Sequence, residues 1–431
     1  MVWSGAMSAP DTHRVAAAIW RIESPKLLAM LVRLVRSVEL AEELAQDAFV
    51  EALDRWAVTG IPEKPGAWLM TAARSRALDA LRHSRRVERK HEQVGRELGT
   101  SSAPSFDESP DDIVGDDLLR LVFVACHPVL SPEARVALTL RLLGGLTTDE
   151  IAGAFLVPEP TIAQRITRAK RTLADKAVPF ELPRPEDLNA RLESVLEVIY
   201  LIFNEGYLAT AGDAWLRPAL CDDAVRLGRV LVELLPDQSE VHGLLALMQI
   251  QASRARARTG PSGEAILLLD QDRDKWDPQS IRRGLESLTR AEALAGTRPG
   301  SYLLQAAIAA CHARAARAED TDWRRIAALY DILARVTPSP IVELNRAVAA
   351  GMAFGPEAAL AIADPLLDDP ALTDYPFLPS VRADFLAKLG RLAEARSEVQ
   401  RAATLTKNAQ ERTLLLARAA AYARAQTAAR D

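Results

Sequence analysis

The chain has 431 residues with 49% hydrophobic and 26% charged side chains, which is too long for one ordinary domain core and ample for burial. Its formal net charge of −5 excludes a uniformly basic nucleic-acid-binding protein, although local basic patches remain. No apolar run has the length of a membrane-spanning helix, and three isolated cysteines argue against a disulfide scaffold and for a reducing cytoplasm. Helix formers dominate and no alternation of β-branched residues indicates a strand, so the composition predicts an all-α protein in the cytoplasm.

The first stretch with a clear amphipathic pattern begins near Val38. Its predicted buried side consists of small and apolar residues, namely Ala41, Leu44, Ala45, Ala48, Phe49, Ala52 and Trp56. An outward stripe at helical spacing consists of Glu39, Glu43, Gln46 and Val50. This stripe is either an ordinary solvated face or a docking surface for a partner helix.

A loop ending at Pro65 leads into an arginine-rich helix, which completes a predicted domain over residues 8–92. The polar and cationic positions of this helix are Arg74, Ser75, Arg76, Arg82, Arg85 and Arg86. Cations in such a row can hold the backbone of a single DNA strand. Trp68, near the helix start, is either a core residue or a platform on which a base stacks.

The helical pattern stops over residues 93–114, where glycine, serine, proline and closely spaced acids predict a flexible acidic linker. Helices are predicted to resume at Asp116, and residues 115–178 to form a second domain. Within it, Ser131 is expected to cap a helix that begins with Pro132.

Two short helices joined by a tight turn are predicted within Gly145–Lys176. Thr147 and Thr148 can cap the first helix, and the segment Val157–Pro160 ends it and begins the second. The second helix has an apolar stripe made of Ile162, Ile166, Ala169 and Leu173. Its other face displays Thr161, Gln164, Arg165, Arg168 and Arg171. Such a face can read base edges and neutralise phosphates in the major groove; the alternative is a helix pair with a solvated basic face.

After a proline-rich joint, the sequence predicts a helical connecting domain over residues 179–300 and paired helices over residues 301–425. The second helices of these pairs are predicted to start 33 and then 35 residues apart, at Trp323, Pro356 and Arg391. Paired helices with a period of roughly 34 residues are typical of tetratricopeptide (TPR) repeats. Stacks of this kind leave a concave surface for a partner.

Several residue groups in this extension are of interest. One group either lines a pocket or forms a structural cluster: Asn204, Glu205 and Tyr207. A second is expected to be exposed and to favour docking of the extension near the helix-turn-helix: Arg254, Arg256 and Arg258. A third either lines a groove or forms repeat core: Leu304, Ile308, Leu344 and Val348. No nucleophile elbow, phosphate loop or metal-ligand pattern occurs, so we expect no catalysis, no metal and no cofactor.

Ordered blocks of the sequence resemble one bacterial family. They are AEELAQDAFVEALDRW, KPGAWLMTAARSRALDALRHSRR and, after the linker, LSPEARVALTLRLLGGLTTDEIAGAFLVPEPTIAQRITRAKRTL. Over residues 14–178 the chain thus resembles an extracytoplasmic-function (ECF) sigma factor. The motifs NEGY, LLLDQDRDKWD and PSPIVELNRAVA also resemble the ECF group that has a C-terminal TPR-like extension.

The resemblance implies a role for each block. The block Glu39–Trp56 would dock on the clamp helices of the polymerase β′ subunit, and Ile61–Arg86 would melt and capture the −10 promoter element. The helix-turn-helix would read the −35 element. The implied partners are core RNA polymerase (β′ clamp helices and β flap), promoter DNA and a regulatory protein or ligand at the extension, with no membrane.

The predicted function is therefore promoter-specific initiation of transcription as a sigma subunit, regulated through the C-terminal extension. The alternative is a helix-turn-helix regulator that binds duplex DNA and senses a ligand or protein through its repeats. Co-purification with core RNA polymerase distinguishes the two, because a plain regulator has no use for a polymerase-docking helix.

Overall fold

A computed structural model of the chain describes residues 9–92, 110–155, 157–207, 217–260, 266–406 and 409–428. Over these ranges the secondary structure consists of eighteen α-helices and a few short 3-10 helices, without a β-strand. The predicted all-α fold is confirmed. Within the same ranges, none of the helices combines the length and the apolarity that crossing a bilayer requires.

The chain divides into two compact units, Met1–Leu201 and Ile202–Asp431, which we call the N-terminal unit and the C-terminal unit. The helices of the N-terminal unit are α1 Ala9–Val35, α2 Val38–Thr59, α3 Pro65–Glu92, α4 Pro110–Ala125, α5 Pro132–Leu142, α6 Thr148–Phe155 and α7 Glu159–Asp175. The division falls within α8, Leu188–Tyr207. The C-terminal unit continues with α9 Pro218–Leu234, α10 Ser239–Ala252, α11 Pro278–Ala295, α12 Ser301–Arg314, α13 Trp323–Val336, α14 Pro340–Phe354, α15 Pro356–Ala363, α16 Phe377–Lys388, α17 Leu392–Leu405 and α18 Ala409–Ala428.

The first three helices, which we call the first module, pack through aromatic and small residues. Trp56 of α2 and Leu69 of α3 are almost fully buried together with Ala16 of α1 and Ala52 of α2. The alanines let the helices approach closely, and the Trp56 ring meets the Trp68 ring edge to face at a centroid distance of 5.6 Å. This contact fixes the start of α3 against α2.

Helices α4–α7, which we call the second module, have starts that local side chains define. Ser131 caps α5, because its Oγ accepts a hydrogen bond from the Ala134 amide at 3.3 Å, and Pro132 follows as the first helical residue. At the start of α6, Thr147 Oγ1 accepts from the Glu150 amide at 3.1 Å while Glu150 Oε2 accepts from the Thr147 amide at 2.8 Å. This reciprocal pair is a capping box, and it confirms Thr147 as a cap.

The turn between α5 and α6 lies close against α1. Gly145 has a φ of 68°, a left-handed conformation that glycine adopts without steric cost. A Cβ atom at this position would lie 3.2 Å from Ser24 Oγ and 3.3 Å from Arg21 Cα, both on α1. The absent side chain therefore allows the second module to approach the first.

The first half of α8 covers the second module. Arg135 of α5 donates to Ser194 Oγ at 2.5 Å and pairs with Glu197 at 3.0 Å. Ser194 in turn donates to the carbonyl of Cys126, just beyond the end of α4, at 2.7 Å. The chain that follows the proline-rich joint thus returns to the helix-turn-helix module.

In the C-terminal unit, neighbouring helices pack in succession: α10 against α11 and α12, α13 against α14, and α17 against α16 and α18. The predicted helix starts at Trp323 and Pro356 are confirmed, and the third helix begins at Leu392 rather than at Arg391. The helical spacing predicted from the sequence is therefore present. The assignment to TPR repeats stays a prediction.

The groove interpretation of four apolar residues in this unit is wrong. Leu304 and Ile308 are buried in a cluster with Ile326, and Leu344 is buried in a second cluster. Val348 is half-buried against a third cluster. These side chains fill the space between adjacent helices, so they form the core of the stack.

Two other expectations need correction. Helix α4 begins at Pro110 rather than at Asp116, so residues 110–114 at the end of the predicted linker are helical. The predicted linker extended too far at this end, because Pro110 suits the first turn of a helix. Residues 93–109 lie outside the described part of the chain.

The second correction concerns three arginines that we expected to be exposed. Only Arg256 is exposed, whereas Arg254 and Arg258 are half-buried. Their guanidinium groups lie near the ring of Tyr207, at 5.7 and 3.7 Å from its centroid. The chain folds back on α8 directly after α10, and this contact covers both side chains.

Candidate nucleic-acid and polymerase interface

Helix α7, the second helix of the helix-turn-helix, has two distinct faces. All four residues of the predicted apolar stripe are buried: Ile162, Ile166, Ala169 and Leu173. On the opposite face Gln164, Arg168 and Arg171 are exposed, and Thr161 and Arg165 are half-buried. Because α7 packs on α5 and α6, it presents a polar and cationic surface on a rigid support. A helix that reads the major groove needs this arrangement.

The arginines of this face differ in their neighbours. Arg171 Nε lies 3.8 Å from Asp175 Oδ2 one turn away, and both side chains are mostly exposed. Arg165 is close enough to Glu133 of α5 to affect its carboxyl group. The pKa of Glu133 is lowered first by hydrogen bonds from its own backbone amide and from Ser131, and then by the positive charge of Arg165. Arg168 is exposed and has no ion-pair partner among the described residues.

The arginine-rich helix α3 uses one of its predicted contact residues to hold α2. The guanidinium of Arg76 pairs with Glu51 at 2.8 Å and with Asp47 at 3.6 Å, both on α2, and its side chain is half-buried. This pairing orients α3 and leaves Arg76 less available to a DNA phosphate than an exposed arginine.

The other predicted residues of α3 lie mostly on its surface. Arg74, Ser75 and Arg82 are exposed, and Arg82 pairs with Asp79 of the same helix at 3.2 Å. The side chains of Arg85 and Arg86 lie outside the described residues.

Trp68 is half-buried. One side of its ring meets Trp56, and the guanidinium of Arg55 lies 5.9 Å from its centroid. A ring in this position contributes to the core of the first module and keeps part of its surface accessible, so both interpretations of Trp68 remain open.

The outward stripe of α2 is confirmed as a surface. Glu39, Glu43, Gln46 and Val50 are all exposed, and Val50 is 56% exposed. The opposite side is buried as predicted, except that Phe49 is half-buried against the ring of Trp20. An exposed valine flanked by acidic and amide side chains is compatible with a protein contact of mixed polarity.

The sequence analysis missed Glu42, a carboxylate on the buried side of α2. Glu42 is only 6% exposed. Arg141 of α5 lies 2.9 Å from one of its oxygens, and Lys170 of α7 pairs with the other. The signal was available, since position 42 falls between Ala41 and Ala45 on the apolar side, where a charge requires a partner.

Two more ion pairs join the modules. Arg33 of α1 lies 2.6 Å from Asp117 of α4, and Arg21 of α1 pairs with Glu150 of α6. Burial raises the pKa of Asp117, and the positive charges of Arg33 and Arg120 oppose this shift. We call these two contacts and the Glu42 site the bridging ion pairs, because each connects the first module to the second.

Two clefts lie along this boundary between the modules. One, of 770 Å³, is lined by Glu39 of the α2 stripe and by Arg171 of α7. The other, of 530 Å³, is lined by Gln46 of the α2 stripe and by Glu150 of α6. The predicted polymerase-binding and −35-binding residues thus approach one another in this arrangement.

The described residues contain no group of three metal-ligating side chains. Burial raises the pKa of the Cys126 thiol to about 11 and that of Cys221 to about 12, so neither thiol forms a nucleophilic thiolate at neutral pH.

Comparison with known proteins connects this geometry to described families. Residues 19–87 match Sigma-70 region 2, residues 120–173 match Sigma-70, region 4, and residues 191–292 match a family of unknown function (DUF6596). An uncharacterised protein of Rhizobium meliloti (strain 1021), R00370, is 43% identical over 90% of this chain and 91% of its own length. No solved structure matches the chain.

Named relatives match a smaller share of the chain. The RNA polymerase sigma factor CarQ of Myxococcus xanthus is 34% identical over 30% of this chain and 69% of its own length. The probable ECF RNA polymerase sigma factor SigI of Mycobacterium tuberculosis is 29% identical over 38% of this chain and 57% of its own length. With both sigma-70 regions present in order, each on its own helical module, the chain belongs to the family of ECF-type RNA polymerase sigma factors.

Proposed function

We propose that this protein binds core RNA polymerase and directs promoter-specific initiation of transcription, under the control of its C-terminal extension. The observation that carries the proposal is α7, a helix whose apolar stripe is buried and whose other face offers one glutamine and two exposed arginines. It belongs to a module that matches sigma-70 region 4 and follows a module that matches region 2. The protein contributes binding, and the polymerase performs the chemistry.

The −35 element is the proposed target of α7. Alanine at Arg165, Arg168 and Arg171 together should abolish promoter-dependent transcription. Among single substitutions, loss of a base contact should cost about 1–3 kcal/mol and alter preference at one position, whereas loss of a phosphate contact weakens binding to all sequences. Unchanged transcription by the triple variant would mean that α7 is not the reader.

The −10 element is the proposed target of α3 and the loop before it. Arg74, Ser75 and Arg82 are exposed along α3, with Trp68 at its start. Alanine at Arg74 and Arg82 should weaken capture of a single-stranded −10 oligonucleotide by the holoenzyme. Alanine at Arg76 should instead reduce the stability of the first module, because that guanidinium bridges to Glu51.

Polymerase docking is assigned to the α2 stripe. The double variant Glu43→Lys and Gln46→Trp should reduce the affinity for core polymerase, with the helix content unchanged by circular dichroism. Glu286→Lys is a matched control, because it makes the same charge reversal at an exposed position of α11. Equal affinities of the double variant and the control would rule out this surface.

Promoter engagement requires the two modules to separate. Promoter elements centred 25 base pairs apart are roughly 85 Å apart along duplex DNA. In the structure α1 of the first module packs against α4 and α5 of the second, and the bridging ion pairs join them. We therefore propose that this compact arrangement belongs to the free protein and opens on the polymerase.

Control by the extension can be tested with two truncations. A chain cut after Val178 also loses the half of α8 that binds Arg135 and the Cys126 carbonyl, so a defect could reflect a damaged second module. A chain cut after Tyr207 keeps α8 whole. If the chain ending at Tyr207 differs in activity from the full chain while promoter choice stays the same, the extension regulates initiation.

The decisive experiment is run-off transcription with purified core polymerase on a promoter selected by the full chain. A sigma subunit should yield a specific transcript and should co-purify with the core enzyme. Binding to duplex DNA without either result would favour a helix-turn-helix regulator that acts without polymerase contact. Equal transcript levels from the full chain and the chain ending at Tyr207, with and without cell extract, would contradict only the proposed control by the extension. The proposed sigma activity would stand.

A further inference from the structure

Arginine and aromatic side chains alternate in one cluster of the C-terminal unit. The guanidinium of Arg258 lies 3.7 Å from the ring centroid of Tyr207, and that of Arg254 lies 5.7 Å from Tyr207 and 5.7 Å from Trp276. The guanidinium of Arg273 lies 4.8 Å from Trp276. We call these five residues the arginine ladder. All of them fall within residues 191–292, the segment that matches a family of unknown function.

The outer arginines of the ladder have structural partners. Arg258 donates to the carbonyl of Tyr207, the last residue of α8, at 2.7 Å. Arg273 donates to the carbonyls of His312 and Ala315, at the end of α12. A cation is favourable at a helix C-terminus, where carbonyls lack intrahelical partners. Arg258 and Arg273 therefore cap the C-terminal ends of α8 and α12.

The central arginine lacks such partners. Among the described residues, no hydrogen bond or ion pair engages the guanidinium of Arg254, and its Nε is buried without an acceptor. Trp276 is only 5% exposed, and its indole Nε1 is also buried without an acceptor. A buried donor without an acceptor loses its hydrogen bonds to water and gains none in return, which is unfavourable. Two such donors on side chains in contact indicate a site that accepts an oxygen-rich group.

The positive charge of the arginine ladder also favours a negatively charged ligand. No carboxylate in the described part of the chain hydrogen-bonds to any of the three ladder arginines. Burial and the charge of Arg254 lower the pKa of Arg273, and the charge of Asp320 opposes this shift. Asp320 is exposed and pairs with Arg317 at 3.2 Å. Three cations thus share a partly buried region in which no carboxylate of the described residues is bonded to them.

His312 adds an uncharged group beside these arginines. Burial, and then the positive charges of Arg254 and Arg273, lower its pKa to about 4. The imidazole is therefore neutral at pH 7, and its Nδ1 is buried without a partner. A neutral imidazole can donate or accept a hydrogen bond at the edge of the cluster.

We propose that Arg254 and Trp276 bind the phosphate group of a small molecule. A guanidinium offers parallel N–H donors that match phosphate oxygens, and the indole N–H adds a further donor. A phosphate dianion compensates the ladder's positive charge better than a carboxylate does. The source is either inorganic phosphate or a phosphorylated metabolite, and the site does not depend on the proposed sigma activity.

The test is calorimetric titration of the full chain with inorganic phosphate and, separately, with adenosine monophosphate, at an ionic strength held constant with sodium chloride. Saturable binding of inorganic phosphate at least as tight as that of the nucleotide identifies the free ion, and tighter nucleotide binding identifies a phosphorylated metabolite. Absence of saturable binding with both compounds overturns the proposal.

Variants locate the site. Arg254→Gln should weaken binding roughly 10- to 100-fold, the loss expected for a hydrogen bond to a charged group. Arg256→Gln is the matched control, because Arg256 lies two residues away and is exposed. This variant should bind phosphate with the affinity of the wild type. Equal affinities of Arg254→Gln and Arg256→Gln would overturn the assignment.

A second pair of variants covers the case in which Arg254→Gln does not fold. Trp276→Phe keeps an aromatic ring between the guanidinium groups and removes only the N–H donor, so binding should weaken severalfold while the fold persists. Arg254→Lys keeps the charge and loses the planar array of donors, and it should also bind more weakly. Wild-type affinity in both variants would contradict the proposal.

Discussion

Two sites, one in each unit, neutralise their cations in different ways. In the N-terminal unit, the cations beside Glu42 and Asp117 are paired with carboxylates that lie on another helix of a different module. In the C-terminal unit, Arg254, Arg258 and Arg273 lie against aromatic rings and helix-end carbonyls. In the proposed opening, pairs of opposite charge can part because each charge then regains water. The ladder keeps its net charge, and this leaves it able to attract an anion.

The largest effect is expected when the carboxylate of Glu42, in the N-terminal unit, is removed. Glu42→Ala leaves Arg141 and Lys170 without their partner in a buried position, and we expect the unfolding free energy of this unit to fall by about 3–5 kcal/mol. Urea unfolding followed by circular dichroism measures this. Glu43→Ala, at the exposed neighbouring position, should stay within about 0.5 kcal/mol of the wild type. Similar losses in both variants would show that Glu42 is not a buried ion-pair partner.

The second effect is a pH dependence that His312 adds to the stability of the C-terminal unit. His312 has an ordinary pKa of 6.5 when unfolded and about 4 in the fold, so between these values the unfolded chain binds a proton that the folded chain does not. Stability should therefore fall as the pH falls from 6.5 to 4, by up to about 3 kcal/mol. His312→Phe preserves the ring that meets Trp323 and should reduce this dependence. An identical pH profile in the variant would contradict the burial of a neutral imidazole.

The third effect compares two arginines of the ladder. Arg273→Gln removes hydrogen bonds to the end of α12 and should cost about 2–3 kcal/mol of unfolding free energy. Arg254→Gln removes only contacts with aromatic faces and should cost about 1 kcal/mol. Thermal unfolding in phosphate-free buffer measures both. If Arg254→Gln proves the more destabilising, Arg254 is a structural residue of the fold.

The smallest effect is expected at the solvent-exposed bridging ion pair, Arg21–Glu150. The side chains of Arg21 and Glu150 are 47% and 42% exposed, so Arg21→Ala should reduce the stability of the N-terminal unit by no more than about 1 kcal/mol. The difference should shrink further in high salt, because exposed charges are screened. A loss as large as that of Glu42→Ala would mean that exposure does not separate the two sites energetically.

The features that the sequence predicted well depend on near neighbours. The apolar stripe of α7 follows from helical spacing alone, and the caps at Ser131 and Thr147 bond to residues three positions away. The two α2 faces follow from the same periodicity. For these elements, sequence separation and spatial separation are both short.

The features that the sequence analysis missed depend on partners that are far away in the sequence. The buried Glu42 is explained by Arg141 and Lys170, which are on two other helices, and periodicity cannot identify them. The half-burial of Arg254 depends on Tyr207, which belongs to a helix that ends well before it in the chain. An arginine-rich stretch was therefore read as a surface.

Gly145 has a consequence for how long the free protein stays compact. A side chain there would meet Ser24 and Arg21 of α1, and it would also strain a backbone that has positive φ. A single added methyl group would act as a wedge that changes volume and leaves every charge in place. We expect Gly145→Ala to loosen the packing of the second module on α1. Under the proposed opening on the polymerase, the lifetime of the closed arrangement thus depends on the space left by one missing carbon atom.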